Sequence, residues 1–182
     1  MNIIGHKRQT DSFLTAMKNA RINCAYLFVG QSGIGKKLVA LKLAQMLNCQ
    51  NEDVIKKPCG ECSSCNKIES GVHPDVIVTS VAEDKSWISI EQIRGMIKGL
   101  QYGAIMGGYN VRIIDDAHLI KEEAANALLK ILEEPPKNTV IILITPMPKS
   151  LPQTILSRSA TVYFNIFSDS EIKDELKAFI MA

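Results

Sequence analysis

With 182 residues, 46 % of them hydrophobic and 22 % charged, the chain can build one well-buried domain and has neither the composition of a disordered protein nor a low-complexity tract. A net charge of +2 excludes a nucleic-acid binder that works through overall charge, while leaving room for a local basic face. No apolar run reaches the roughly 18–20 residues of a membrane span, and the N-terminus has no signal-peptide core, so the expected compartment is the cytoplasm.

In chain order, the first predicted element is a helix from about Thr10 to Ala20, with Phe13, Leu14 and Met17 on one face and Thr10 or Asp11 as its cap. Ala25-Tyr26-Leu27-Phe28-Val29 reads as a strand. Gly30-Gln31-Ser32-Gly33-Ile34-Gly35-Lys36-Lys37 follows it and opens a helix through Leu38, Leu41 and Leu47. From Cys49 to about Gly71 the chain turns polar and cysteine-rich, which reads as an insertion into an α/β rhythm. Asp75 to Thr79 resumes that rhythm as a buried strand behind the turn His73-Pro74. Ser89-Ile90-Glu91-Gln92 has the form of a capping box, and Ile90, Ile93, Met96, Ile97 and Leu100 keep helical spacing. Val111 to Asp116 is a third strand, ending in two carboxylates. A helix from about Lys121 to Glu134 is stopped by Pro135-Pro136. Val140 to Thr145 and Thr161 to Phe164 complete five strands, and the alternation predicts a parallel α/β sheet with ligands at the carboxyl ends of its strands. Ser168-Asp169-Ser170-Glu171 starts one more helix, and since one helix is not a second domain the end is expected to be a truncation.

The loop after the first strand has the form G-x-x-x-x-G-K. Gly30, Gly33 and Gly35 let successive backbone N–H groups face phosphate oxygens, and Lys36 reaches the outer phosphates at a helix N-terminus. Strand, loop and helix in register argue for a nucleotide-type fold. Occupancy by ATP or another nucleotide stays open, since a fold can be inherited without its ligand. The next position normally supplies a hydroxyl to Mg²⁺. Here it is Lys37, which offers a hard cation no oxygen. An ammonium there can neutralise phosphate or pair with Asp115. Asp116 stands where a water-positioning group is needed and is one methylene shorter than glutamate. Both departures predict weak or absent hydrolysis and no Mg²⁺, although the two carboxylates also read as a solvated strand end.

Cys49, Cys59, Cys62 and Cys65 form C-x9-C-x2-C-x2-C. Four soft sulfurs select tetrahedral Zn²⁺ and leave it no open position, a structural site, with Lys56, Lys57 and Lys67 to offset the thiolate charge. Redox-active thiols are the other reading, disfavoured in a reducing compartment. Cys24 stands alone beside a strand and reads as core, and Trp87 as a packing anchor. His6, His73 and His118 are dispersed and read as turn, cap or packing residues. Arg158, in Ser157-Arg158-Ser159 between the last two strands, reads from composition as a surface arginine, the alternative being a guanidinium that reaches a neighbour's phosphate.

Taken together, these residues resemble the AAA+ core of the bacterial DNA polymerase III clamp-loader family, and most closely its delta-prime type. The likeness is carried by Ile4-Gly5-His6, the loop Gly30 to Lys36, the four cysteines, His73-Pro74-Asp75, the run from Ala125 through Leu132-Glu133-Glu134-Pro135-Pro136, and Leu151-Pro152-Gln153-Thr154-Ile155-Leu156-Ser157-Arg158. The resemblance implies a stationary, non-hydrolysing member of a hetero-pentamer whose motor subunits hydrolyse ATP, open the sliding clamp and place it on primed DNA. It puts Arg158 on the arginine offered in trans to an adjacent ATP site and Thr145 on the γ-phosphate sensor. The four clustered cysteines fall on the zinc ligands. It divides the chain into a core, residues 1–166, with the zinc module inserted at about 49–71, and the start of an incomplete helical lid, residues 167–182. Without lid and collar the chain is not expected to form a stable ring alone. Ser159 replaces the motif's cysteine, His6 replaces a glutamine near the adenine, and Lys37 replaces the hydroxyl residue that motor subunits keep. An ATP-hydrolysing gamma/tau-type motor of the same complex is the alternative, and a zinc-ribbon nucleic-acid binder is disfavoured by the low charge.

Overall fold

In the computed structural model, residues 5–166 are described. Strands β1 (Ala25–Val29), β2 (Val76–Thr79), β3 (Asn110–Ile114), β4 (Thr139–Thr145) and β5 (Ala160–Tyr163) form one sheet in the order β2-β3-β4-β1-β5. All four pairings are parallel. Every residue of β1, β3 and β4 is buried, because helices cover both faces of a parallel sheet. The apolar runs in the sequence come from that two-sided burial.

The pleat divides β1 between two cores. Tyr26 and Phe28 join Phe13 of α1 (Lys7–Lys18) and Val39, Leu43 and Leu47 of α2 (Lys36–Asn48). Leu27 and Val29 face the other way, onto Ile93 and Met96 of α4 (Ile90–Lys98), Leu128 of α5 (Glu122–Glu133) and Ile155 of α6 (Gln153–Arg158). The cysteine-rich insertion folds into a short 3₁₀ turn, Val54–Lys56, and helix α3 (Ser63–Glu69), whose Ile68 joins the α1–α2 core.

The register aligns the carboxyl ends of the strands. Val29 pairs with Thr145, Ile114 with Leu143, and the Asp115 N–H donates to Thr79 O at 2.9 Å. Gly30, Asp115 and Thr145 therefore meet at one end of the sheet, as the sequence predicts for a ligand site. The capping box is present: Ser89 Oγ accepts from the Gln92 N–H (3.4 Å), and the Ser89 N–H donates to Gln92 Oε1 (3.0 Å).

Four local expectations need correction. The strand expected to be buried at Asp75 to Thr79 is the edge strand β2, with Ile77 and Val78 exposed. Helix α1 begins at Lys7 rather than near Thr10, because His6 adopts a left-handed conformation (φ 56°) that turns the chain into the helix. Thr10 then lies in the first turn, buried, its hydroxyl on Lys7 O (2.9 Å). Arg158 closes a helix, α6, instead of standing on a loop. Trp87 is 40 % exposed, with Lys121 Nζ 3.5 Å from its ring centroid, so it serves a cation as a platform more than the core as an anchor. The helix expected from Ser168 lies outside the described residues.

Candidate functional site

The phosphate loop is built where β1 gives way to α2. A Cβ at Gly30 would stand 2.5 Å from Phe164 O, so only glycine lets the chain leave β1 beside the last strand. The Gly30 N–H donates to Thr145 O (3.3 Å), fixing the start of the loop to β4. Gly35, at φ 93°, takes the left-handed turn that opens α2. Gly33 presents open space to the outside.

Lys36 is 5 % exposed, and its ammonium donates to Gly30 O (2.8 Å) and to Gln31 O. Burial lowers its pKa, against the pull of Asp115 and Asp116. The lysine thus lies folded inside the ring of its own loop. Lys37 sits one residue on, with Nζ 3.2 Å from Asp115 Oδ2 and side chains 47 % and 22 % exposed. At that exposure the pair contributes less than about 1 kcal/mol to stability. Its consequence is chemical: an ammonium spans the gap between the helix start and the strand-end carboxylate, where Mg²⁺ would need oxygens. A dication about 4 Å from that ammonium would be repelled by roughly 8 kcal/mol at an effective dielectric constant near 20. The residues present do not fit the metal.

Asp116 lies just beyond β3 in a left-handed conformation (φ 55°), and its Oδ1 is 4.0 Å from His118 Nδ1, beyond hydrogen-bond reach. Thr145 is fully buried, its hydroxyl oxygen accepting the Met147 N–H at 3.0 Å. Structure and sequence agree in bringing Gly30, Gly33, Gly35, Lys36, Lys37, Asp115, Asp116 and Thr145 to one end of the sheet.

Arg158 is elsewhere. It precedes β5, whose Ala160 pairs with Tyr26 near the start of β1, so it sits toward the amino ends of the strands, away from the phosphate loop. Its Nη2 donates to Glu133 Oε1 (2.8 Å) and its Nη1 to Thr154 O (3.2 Å). This arginine cannot serve the chain's own loop.

At the far end of α2 the Sγ atoms of Cys49, Cys59, Cys62 and Cys65 lie within 4.8 Å of one another, and all four cysteines are free. A tetrahedral ion with bonds near 2.3 Å needs sulfurs about 3.8 Å apart, so a small contraction closes the set. Backbone N–H groups already point at sulfur: Cys59 to Cys49 Sγ (3.4 Å), Cys62 to Cys59 Sγ (3.4 Å) and Cys65 to Cys62 Sγ (3.5 Å). Burial opposes ionisation of Cys62, yet N–H donors from Gln50 and Cys65 and its cysteine neighbours bring it down to about 6. Cys65, more deeply buried, is pushed up. The donor set can hold one metal ion. Of the lysines expected to offset its charge, Lys56 pairs with Asp53 (4.0 Å) and Lys67 leans on Met106 Sδ (3.8 Å), while backbone N–H groups reach three of the sulfurs.

The module is tied down on two sides. Cys49 directly follows α2, and Gln45 Nε2 donates to Cys65 O (3.0 Å). His73 Nε2 lies 3.4 Å from Ser64 Oγ, and its Nδ1 accepts the Asp75 N–H (3.1 Å). The Asp75 carboxylate takes the N–H groups of Ile105 (2.7 Å) and Met106 (2.8 Å). Ser64, His73 and Asp75 are a buried brace and no nucleophile, since the imidazole faces the backbone of Asp75 and not its carboxylate.

A family model described as "DNA polymerase III, delta subunit" matches residues 5–168. The chain belongs to that family. Among relatives of this delta-subunit family member, the delta' subunit of Pseudomonas aeruginosa is 40 % identical over 134 residues, 74 % of this chain and 40 % of its own length. The delta' subunit of Bacillus subtilis is 37 % identical over 161 residues, 88 % of this chain and 48 % of its own length. The tau/gamma subunit of Haemophilus influenzae is 35 % identical over 175 residues, 96 % of this chain and 25 % of its own length. The chain thus spans about a quarter to a half of these curated relatives. A gamma subunit-related protein of Thermotoga maritima superposes with a TM-score of 0.56 at 21 % identity, over 86 % of this chain and 47 % of its own. The RuvB Holliday junction branch migration motor of the same organism gives 0.57 at 17 %, over 98 % of this chain and 52 % of its own. These solved structures show the AAA+-type fold, and the resemblance to DNA polymerase III clamp-loader subunits is borne out.

Two contacts of the delta-subunit family member are not visible in the sequence. His6 is expected as a turn, cap or packing residue. It also reaches the phosphate loop, with Nε2 2.6 Å from Ile34 O and its ring edge on Phe164 (centroids 4.9 Å apart). Glu133, the partner of Arg158, lies inside the Leu-Glu-Glu-Pro-Pro stretch, which was the signal that could have found it. No described helix is long and apolar enough to cross a membrane.

Proposed function

We propose that this chain is the AAA+ core of a clamp-loader subunit of delta-prime type. It is a stationary, non-hydrolysing member of the cytoplasmic hetero-pentamer that loads the sliding clamp onto primed DNA. The observation that carries the reading is the Lys37–Asp115 ion pair at 3.2 Å, which occupies the place of the catalytic metal. Arg158 fits the complementary role: turned away from its own loop and half exposed, it is offered in trans to a neighbour's ATP site. Thr145 keeps the sensor position as a buried anchor of the loop. Cys49, Cys59, Cys62 and Cys65 hold one Zn²⁺, which supplies a closed cross-link and no chemistry. Residues 1–166 form the core, and residues 167–182 begin the lid.

The test is steady-state ATP turnover by the 182-residue chain in Mg²⁺. The expected result is no hydrolysis above that of Lys36→Ala. Turnover that Lys36→Ala abolishes would favour a gamma/tau-type motor, a reading supported by tau relatives 34 % identical over 97 % of the chain.

A further inference from the structure

We infer that the phosphate loop takes a nucleoside triphosphate without a divalent cation, with Lys37 supplying the charge that a metal supplies elsewhere. The inference rests on the loop being non-hydrolytic and goes further, to the ionic form of its ligand. The glycines and the lysine of a phosphate loop are all present. Gly33 leaves the tip of the loop open, since a Cβ there would meet nothing within 4 Å, while Gly30 and Gly35 set the turns on either side of it. Lys36 is held at the centre by two carbonyls and is the first residue of α2, whose opening N–H groups have no acceptor within the helix. Only the metal's oxygen ligand has been exchanged, and what replaced it is a cation.

Lys37 is placed to do this work. Its side chain is 47 % exposed, so the head can move, and it rests 3.2 Å from an Asp115 oxygen. Asp115 is itself 22 % exposed and loses little when the ammonium swings to a phosphate oxygen. Burial already disfavours the charged form of Lys36, so an arriving polyanion restores what desolvation removed. Two ammoniums and a helix N-terminus then face the triphosphate. A divalent ion carried in by the nucleotide would meet Lys37 head-on. Ordinary phosphate loops of this form favour the metal complex, and this one favours the free nucleotide.

Isothermal titration of the full chain with ATP, once in EDTA and once in excess Mg²⁺, tests the inference. Binding in EDTA is expected to be at least as tight as in Mg²⁺. Lys37→Thr, which restores a hydroxyl, should reverse the preference by about tenfold or more. Asp115→Asn, which frees Lys37 from its competitor, should tighten binding in EDTA several-fold. Unchanged circular dichroism would show that both variants are folded. Binding by the wild-type chain only in Mg²⁺, a metal preference unmoved by Lys37→Thr, or no binding in either condition would overturn the inference. The last outcome leaves the non-hydrolysing role standing, whereas Mg²⁺-dependent turnover removes that role as well.

Discussion

Arg158 ends α6 with its guanidinium on Glu133, and both side chains are substantially exposed, at 37 % and 51 %. An exposed pair of this kind contributes less than about 1 kcal/mol, so Arg158→Ala should leave the melting temperature of the isolated chain almost unchanged. In the reconstituted clamp loader the proposed role predicts that the same substitution removes a trans guanidinium from a developing phosphoryl charge, a loss on the order of a thousandfold in turnover. Thermal melting of the chain and ATPase assay of the assembly separate the two roles. A wild-type rate from the mutant assembly would reduce Arg158 to a surface residue. Glu133 belongs to the same device. It holds the guanidinium in a defined place at 2.8 Å, which in the proposed role would spare the arginine ordering when a neighbour docks.

Among the elements, α4 shows how far local chemistry specifies this fold. Its N-terminus is closed by the reciprocal Ser89–Gln92 bonds, and Gln92 Nε2 continues to Ser80 O (2.9 Å), joining the helix to the end of β2. Ser89→Ala removes the acceptor for the Gln92 N–H and is expected to cost about 1 kcal/mol. That change is readable as a lowered urea midpoint with an unchanged slope. A midpoint within error of wild type would mean that water caps the helix equally well. This box was legible because it is a pattern over four consecutive residues. Strands β1, β3 and β4 were legible for a similar reason, since two-sided burial writes each as an apolar run. The four cysteines carried their chemistry in their spacing, and Lys37 in its departure from an expected hydroxyl. What stayed hidden are contacts between distant positions: Arg158 with Glu133, 25 residues apart, His6 with Ile34, 28 apart, and Asp75 with the Ile105 N–H, 30 apart. No periodicity links such partners, and only the folded sheet brings them together. Helix α6 escaped because six residues are too few to display a helical period.

Across the whole molecule, α2 connects the two constellations. Its 13 residues span about 20 Å, with the phosphate loop at the amino end and Cys49 just past the carboxyl end. The four-sulfur module is therefore a clamp on the far end of the helix that carries Lys36 and Lys37, reinforced by Gln45 on the Cys65 carbonyl and by the His73–Asp75 brace. Elemental analysis of protein purified without chelator should find about one zinc per chain. Stripping the metal should cost about 3–4 kcal/mol of stability, as expected when a ligand is held at a few hundred to a thousand times its dissociation constant. The loss should be uneven. Hydrogen exchange should accelerate through residues 49–71 and reach the last turn of α2, because within residues 49–71 only Cys49, Cys65 and Ile68 are buried apolar residues. The amides of β1, β3 and β4 draw their protection from a sheet buried on both faces and should keep it. Equal acceleration everywhere would make the metal a requirement for folding, whereas no acceleration in the module would show that its hydrogen bonds suffice. The expected intermediate pattern, an intact sheet with a loosened far end of α2, follows from a module that is inserted into the α/β core and braced against it.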